Sequence, residues 1–178
     1  MDFRKMTEPQ LKLFLNEFLD PDFHFASEVV GKHIVEEVQV VADYILRPKS
    51  HLIEKGFDDV YFAIEVKSPK HSNPHSQYRK ALVQAASYAD SRFGGKRPLF
   101  TLIFPQADYF KPLNAQNVRH DEEVSAYFRI GQYFSVGDFR IHQPKDRWCI
   151  WFSGGRYFCS NRGRGPHNLT KRYVGNIS

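Results

Sequence analysis

Residues 60–104 limit the fold more than any other stretch of the chain. They contain an apolar segment, then an amphipathic segment, then a second apolar segment. Residues 60–67 are nearly continuously apolar at their start, which is typical of a central strand. Apolar residues then recur at helical spacing over residues 78–89, and Gly94-Gly95 stops the helix. Residues 98–104 form a second apolar strand. A strand, helix and strand of these lengths favour parallel pairing through a right-handed crossover.

The segments before this passage predict an antiparallel part of the same sheet. Thr7-Glu8-Pro9-Gln10 carries the signals of a helix start, and Asp20-Pro21 ends that helix. Two β-rich runs, residues 23–30 and 33–46, flank Gly31-Lys32 and predict a hairpin. A polar loop to Asp59 follows. The order helix, three strands, helix, strand therefore predicts an α/β layered domain with a mixed sheet.

The remainder of the chain is less regular in sequence. Residues 126–130 and 132–142 are short strand candidates, and residues 148–152 and 156–160 flank Ser153-Gly154-Gly155 as a hairpin would. No linker rich in proline, glycine and serine precedes this region. At 178 residues, we expect a single domain with a core over residues 8–104 and a β-rich appendage with a basic tail over residues 105–178.

Positive charge is concentrated at the C-terminal end. The net charge is +5, and residues 147–178 hold six of the 25 lysines and arginines but none of the 20 acidic residues. Such a segment, with Arg162 and Arg164 among glycines, attracts a phosphate backbone through Coulomb forces and counterion release. A solvated tail that aids solubility explains the same composition, so both interpretations stay open.

The sequence lacks the signals of several classes of protein. No apolar run approaches the roughly 20 residues of a bilayer span, and no signal peptide begins the chain, so we expect an intracellular, cytoplasmic protein without membrane contact. Cys149 and Cys159 are too few for a disulfide framework and are interpreted as small buried apolar residues. His71 and His75 straddle Pro74 and are interpreted as loop residues. Neither a phosphate-binding glycine loop with lysine nor a Gly-x-Ser-x-Gly frame is present.

Three charged residues in two apolar strands point to chemistry. Asp43 is embedded in an apolar strand, where an unpaired carboxylate would cost several kcal/mol of desolvation. Glu65 and Lys67 close the next strand and point to the same face, since alternate residues of a strand do so. If the two strands are neighbours, the three side chains converge. Two carboxylates beside an ammonium group predict a Mg²⁺ site, because Mg²⁺ binds one or two carboxylates together with substrate phosphates. A plain Glu65–Lys67 ion pair is the alternative.

The helix that follows adds a second polar feature. Gln84 and Tyr88 stand four residues apart on one face, with Gln77 and Lys80 on the same side. The amide and the phenol could therefore reach a phosphate or a base edge beside the metal. Tyr88 also fits the apolar stripe of the helix, so a core position is equally compatible with its spacing.

These residues together resemble the PD-(D/E)xK, or restriction-endonuclease-like, nuclease superfamily. Asp43 in ADYIL, Glu65 and Lys67 in AIEVK, and Gln84 and Tyr88 in QAASYA echo its motifs in type, order and element. The likeness covers residues 8–104 and is closest to the nuclease domain of type I restriction subunits and to RecB-type nucleases. The longer separation of Asp43 from Glu65 implies an insertion at residues 49–58.

The resemblance implies roles for individual residues. Asp43 and Glu65 would bind the metal together with the Val66 carbonyl, Lys67 would orient or activate the attacking water, and Gln84 would position the site against DNA. A further acid, either Glu17 on the first helix or Glu28 on the following strand, could complete the metal site.

The expected function is a Mg²⁺-dependent deoxyribonuclease, with Mn²⁺ able to substitute, that acts as an endonuclease. Its expected partner is DNA, bound through Gln84, Tyr88, Arg162 and Arg164, and a homodimer is compatible with this expectation. A nucleic-acid-binding module that keeps the nuclease fold without turnover is the alternative. A structural or protein-interaction domain would leave both the basic end and the charged triad without an explanation.

Overall fold

The described part of the chain, residues 2–112, 118–142, 147–153, 157–160 and 169–172 of a computed structural model, forms one mixed sheet with helices on its faces. In chain order the strands are β1 (Phe23–His33), β2 (Gln39–Pro48), β3 (Phe62–Val66), β4 (Ser91–Phe93), β5 (Thr101–Phe104), β6 (Val136–His142), β7 (Arg147–Trp151), β8 (Tyr157–Ser160) and β9 (Leu169–Arg172). Across the sheet their order is β4-β1-β2-β3-β5-β6-β7-β8-β9. The predicted mixed α/β class is confirmed.

The α-helices within the described residues are α1 (Glu8–Leu19), α2 (Ser50–Ile53), α3 (Pro74–Ala89) and α4 (Val118–Gly131). Of these, α1 and α3 begin where the sequence signals place them. At the start of α1, the Gln10 side chain accepts a hydrogen bond from the Thr7 backbone N–H at 2.9 Å, which satisfies a donor that the helix itself leaves unpaired. Pro74 occupies the first turn of α3, where its missing N–H costs no helical hydrogen bond.

Strand directions follow from the connections. β1 and β2 form the predicted antiparallel hairpin, but the turn predicted at Gly31-Lys32 is wrong, because both residues belong to β1 and the strands connect through residues 34–38. β2 pairs antiparallel with β3. β3 then pairs in parallel with β5 through the α3 crossover, as the length of that passage predicts. A second parallel pair, β5 with β6, is joined through α4.

The sheet is covered on both faces because its central strands are apolar on both sides. Leu11 and Leu15 of α1 belong to the same core cluster as Leu102 and Phe104 of β5. Ile103, between those two strand residues, belongs instead to a second cluster that contains residues of α3 and α4. Alternation along one strand therefore separates a layer formed by α1 from a layer formed by α3 and α4.

The predicted polar loop between β2 and β3 is wrong in part. Residues 50–53 form the short helix α2, and both Leu52 and Phe57 are buried in the main core. The Phe57 ring lies 6.2 Å from the ring centroids of Phe62 and Trp148. Leu52 and Phe57 stand among polar residues, and two apolar residues are too few to form a pattern that predicts burial. Their packing depends on contacts with strands that are distant in sequence.

The predicted strand at residues 126–130 is also wrong, because this segment lies inside α4. Tyr127, Phe128 and Ile130 favour strands locally. Val124 is fully buried, however, and Tyr127 and Phe128 pack against its cluster at helical spacing. Tertiary packing thus overrides local propensity.

The C-terminal strands belong to the same sheet and core as the rest. The predicted hairpin is confirmed as β7 and β8, and β6 lies within the predicted segment 132–142. Phe139, Trp148 and Ile150 are buried in the cluster that also contains α1 residues. β9 pairs with β8, so part of the basic end is a strand. Cys149 is buried as expected.

No helix within the described residues is both long enough and apolar enough to cross a membrane.

A carboxylate lies fully buried where α3 meets β6. Asp138 accepts hydrogen bonds from the Tyr78 phenol at 3.0 Å and from the Ala107 backbone N–H at 3.0 Å, and Arg140 lies 3.4 Å away. Burial nevertheless raises the pKa of the Asp138 carboxyl to about 6. Because the folded pKa exceeds the ordinary value, the favourable contribution of Asp138 to stability is complete below the ordinary pKa and is lost as the pH rises through about 6.

We expect an Asp138→Asn variant to lose part of the pH dependence of folding. The free energy of unfolding of the wild type, minus that of the variant, should fall by up to about 3 kcal/mol between pH 4 and pH 7. Urea denaturation at several pH values measures both quantities. Asp121→Asn, at an exposed acid of α4, is the control and should follow the wild type. Equal pH slopes for Asp138→Asn and the wild type would contradict the prediction.

Candidate active site

Asp43 and Glu65 are brought together by the pairing of β2 with β3. The register ends with Tyr44 opposite Ile64, and the next residues on the two strands are Asp43 and Glu65. The Asp43 carboxylate accepts a hydrogen bond from the Val66 backbone N–H at 2.7 Å through its Oδ2 atom. The strand pairing assumed in the sequence analysis is therefore present, and it puts the two acids side by side.

Lys67 completes the predicted group and contacts a further acid. Its Nζ atom lies 3.5 Å from Oε1 of Glu65 and 3.7 Å from Oε2 of Glu8. Glu8 belongs to the first turn of α1 and was missed by the sequence analysis. The Lys67 ammonium group thus bridges a strand acid and a helix acid.

A second lysine, Lys12, also enters the site from α1. Its Nζ atom lies 2.6 Å from Oδ1 of Asp43 and 3.9 Å from Glu8, and it forms a hydrogen-bonded ion pair with Glu28. Burial lowers the pKa of Lys12, but hydrogen bonds and attraction to Asp43 and Glu28 outweigh this effect and raise its pKa above the ordinary value. Lys12 is therefore the cation that compensates the embedded Asp43.

Glu28 has an unusual backbone conformation at this place. Its φ angle is 51°, in the left-handed region that non-glycine residues rarely adopt. It lies between Ser27 and Val29, which pair with Tyr44 and Ala42, so Asp43 is its counterpart on β2. Such a conformation costs on the order of 1 kcal/mol and is often found at functional sites. Both acids left open by the sequence are exposed, and Glu28 is the one that pairs with Lys12 in the network.

The position of Glu65 in the site raises the pKa of its carboxyl group. This side chain is buried, and burial together with the nearby Asp43 charge raises the pKa of Glu65 to about 8. Attraction to Lys67 and the hydrogen bond from Tyr88 act in the opposite direction but do not offset the increase. Two carboxylates held this close favour a proton or a cation between them.

Tyr88 supports Glu65 from α3. Its hydroxyl oxygen lies 2.6 Å from Oε2 of Glu65 and 2.8 Å from the Val41 carbonyl oxygen, so both groups compete for one phenolic proton. Burial and the Glu65 charge raise the pKa of Tyr88, which keeps it protonated as a donor. Tyr88 is therefore both a core residue and a site residue, and the two interpretations of its spacing are compatible.

Of the residues predicted to contact nucleic acid, Tyr88 is buried within this network. Gln84 lies one turn before Tyr88 on α3, and its side chain is exposed. Arg162 and Arg164 fall outside the described residues. Contacts of these three residues with nucleic acid therefore stay predictions.

The donor set matches a hard divalent cation. Asp43 and Glu65 supply carboxylate oxygens, the ligands that Mg²⁺ favours. Although both Asp43 oxygens have partners, a carboxylate has about four lone-pair directions, so each oxygen can accept again. A divalent ion between the two acids would replace the proton favoured at Glu65. The residues present thus fit Mg²⁺ or Mn²⁺.

No family model, curated protein or solved structure matches the chain. What indicates a function is the arrangement of Asp43, Glu65, Lys67 and their neighbours.

Proposed function

We propose that the protein is a metal-dependent nuclease that hydrolyses phosphodiester bonds of DNA as an endonuclease. The observation that carries the proposal is the pair of acids Asp43 and Glu65 on adjacent strands, with the Lys67 ammonium group 3.5 Å from Glu65. The resemblance to PD-(D/E)xK nucleases supports it, since the three residues stand in the order of that motif. Apart from the short elements α2 and β4, the order α1, β1, β2, β3, α3, β5 further supports a restriction-endonuclease-like core.

Each residue has a defined part in the proposed reaction. Asp43, Glu65 and the Val66 carbonyl would hold Mg²⁺, which when bound polarises a phosphate oxygen and acidifies water. Lys67 would orient the attacking water and stabilise the negative charge that develops on the phosphate in the transition state. Tyr88 fixes the Glu65 carboxylate through its hydrogen bond.

The two lysines of the site have different surroundings, which separates their roles. Lys12 is held by three acids, and its position beside Asp43 offsets the charge of the acid that the strand buries. Lys67 contacts Glu65 directly and also lies near Glu8. In the proposed reaction Lys67 is the catalytic residue, and Lys12 is a positioning residue that acts through Asp43.

Exposed cations offer a path for the phosphate backbone. Lys70 precedes α3, and Arg79 and Lys80 lie on that helix, all three exposed. α3 also carries Tyr88, so backbone contacts along this helix would bring a phosphate toward the carboxylates. The basic end of the chain would add non-specific attraction.

The test of this function is cleavage of supercoiled and linear plasmid DNA by the purified protein. Nicking of circles in Mg²⁺ or Mn²⁺, blocked by EDTA, is the expected result and identifies an endonuclease. Degradation of linear DNA alone would indicate an exonuclease instead. DNA binding in a gel-shift assay, without turnover in either metal, would overturn the proposal in favour of a non-catalytic binding module.

The role of the basic end is tested by point substitutions, because truncation after Ser160 would also remove strand β9. We expect an Arg162→Ala/Arg164→Ala variant to show a salt dependence of DNA affinity that is shallower by about 1.8, since each phosphate contact contributes about 0.9. Titration at several salt concentrations measures this slope. The matched control replaces the exposed Lys32 and Lys55 by alanine and should keep the wild-type slope. An unchanged slope for the arginine variant would indicate a solvated tail.

A further inference from the structure

A second group of metal-binding side chains lies between α3 and α4. His75 is in the first turn of α3, and His120 and Glu123 lie three residues apart on α4, which places them on one face of that helix. The two helices pack together around Tyr78 and Val124 of the same core cluster. The fold thus brings together residues that are 45 positions apart in the chain.

The geometry of this group is close to that of a metal site. One ligand atom from each of the three side chains lies within 4.8 Å of both others. His120 Nδ1 is 3.4 Å from Oε2 of Glu123, and the two imidazole rings stack with centroids 4.0 Å apart at an angle of 12°. In tetrahedral zinc sites, bond lengths of about 2.0–2.1 Å separate ligand atoms by roughly 3.3 Å. To close the site, the ligand atoms must approach one another by up to about 1.5 Å, and the two stacked rings must tilt toward a common point.

The chemistry of the group indicates a borderline transition metal. Two imidazoles and one carboxylate are the ligands of many zinc sites with an open fourth position, whereas Mg²⁺ favours oxygen ligands alone. Imidazole must be neutral to bind a metal. Burial and the neighbouring His120 lower the pKa of His75, which favours that neutral form, while Arg79 acts in the same direction and Glu123 opposes it. All three side chains are half-buried, so an ion can still reach them.

We propose that His75, His120 and Glu123 bind Zn²⁺, or a similar transition-metal ion, at a site distinct from the carboxylate pair. Because an imidazole holds a metal close to its own ring plane, the stacked rings tilt toward each other when the ion binds. The ion then links the start of α3 to α4. Thirteen residues separate His75 from Tyr88, about 20 Å along a helix, so the two sites are independent.

Calorimetric titration of the full-length protein, free of any histidine tag, with Zn²⁺ tests the proposal. We expect one Zn²⁺ per chain and an affinity at least about 100-fold weaker in His120→Ala, since loss of groups that merely orient ligands costs 10- to 100-fold. Glu123→Gln should weaken binding as well, and it conserves the shape of the side chain. His24→Ala, at an exposed histidine of β1, is the control and should bind Zn²⁺ as the wild type does.

Two further measurements keep the result unambiguous. Co²⁺ should give the intense visible absorption of a tetrahedral site in the wild type and lose it in His75→Phe, which keeps a stacking ring but no ligand. Asp43→Asn should retain Zn²⁺ binding, because that substitution alters only the carboxylate pair. Equal Zn²⁺ affinity in the wild type, His120→Ala and Glu123→Gln would overturn the proposal, as would loss of binding in Asp43→Asn alone.

Discussion

Replacing Lys67 by methionine should lower the rate of DNA cleavage by at least about 100-fold while leaving DNA affinity nearly unchanged. Removal of a single group that stabilises transition-state charge typically costs 10²- to 10³-fold in rate. Methionine preserves most of the aliphatic stem, and the Lys67 side chain is largely enclosed, so packing around it should be conserved. Affinity depends on many cations, of which Lys67 is only one.

Single-turnover cleavage of a supercoiled plasmid and a parallel binding titration measure the two effects. Lys55→Met is the control, because Lys55 is exposed in the loop after α2 and has the same charge. It should cleave at the wild-type rate. Wild-type turnover by Lys67→Met at saturating Mg²⁺ would remove Lys67 from the reaction, whereas an equal loss of affinity and rate would make it a DNA-binding residue.

Metal binding to the carboxylate pair should stabilise the wild type strongly and leave an Asp43→Asn variant almost unaffected. An ion that binds only the folded state stabilises it by about 2.7 kcal/mol at a concentration of 100 times Kd. For a chain of this size that free energy corresponds to a rise in Tm of roughly 5–10 °C. In the variant one carboxylate is lost, and the ion no longer relieves repulsion at Glu65.

Thermal melts with Mg²⁺ and with Mn²⁺ measure this shift. Asp59→Asn, at an exposed acid paired with Arg47, is the control and should shift as the wild type does. A full Mg²⁺ shift in Asp43→Asn would place the ion elsewhere. Repeating the Mn²⁺ melts with His120→Ala separates any contribution from the histidine site between α3 and α4.

The sequence predicted those parts of the site that lie within one strand or on neighbouring strands. Glu65 and Lys67 share a face because of strand periodicity, and Asp43 lies beside Glu65 because β2 and β3 are neighbouring strands. Lys12 and Glu8 were not found, since their contacts depend on how α1 docks across the sheet. No local pattern in α1 encodes that docking angle.

Other features depended on packing that no local pattern reveals. The sequence does not reveal the grouping of His75 with His120 and Glu123, because the interpretation of His75 as a loop residue is wrong: it lies in α3, and His120 lies on another helix. The left-handed conformation of Glu28 was unpredictable for a different reason, since glycine or asparagine would normally mark such a position. Residues 126–130 resemble a strand in sequence because aromatic and β-branched side chains favour strands when considered alone.

Under the proposed function, the left-handed backbone of Glu28 would set activity against thermostability. Glycine would adopt the same φ angle without a steric cost, so selection for stability alone would favour Glu28→Gly. That substitution would also remove the carboxylate that shares Lys12 with Asp43. A laboratory evolution experiment that selects only for heat resistance should therefore erode this site first, while the core around Trp148 persists.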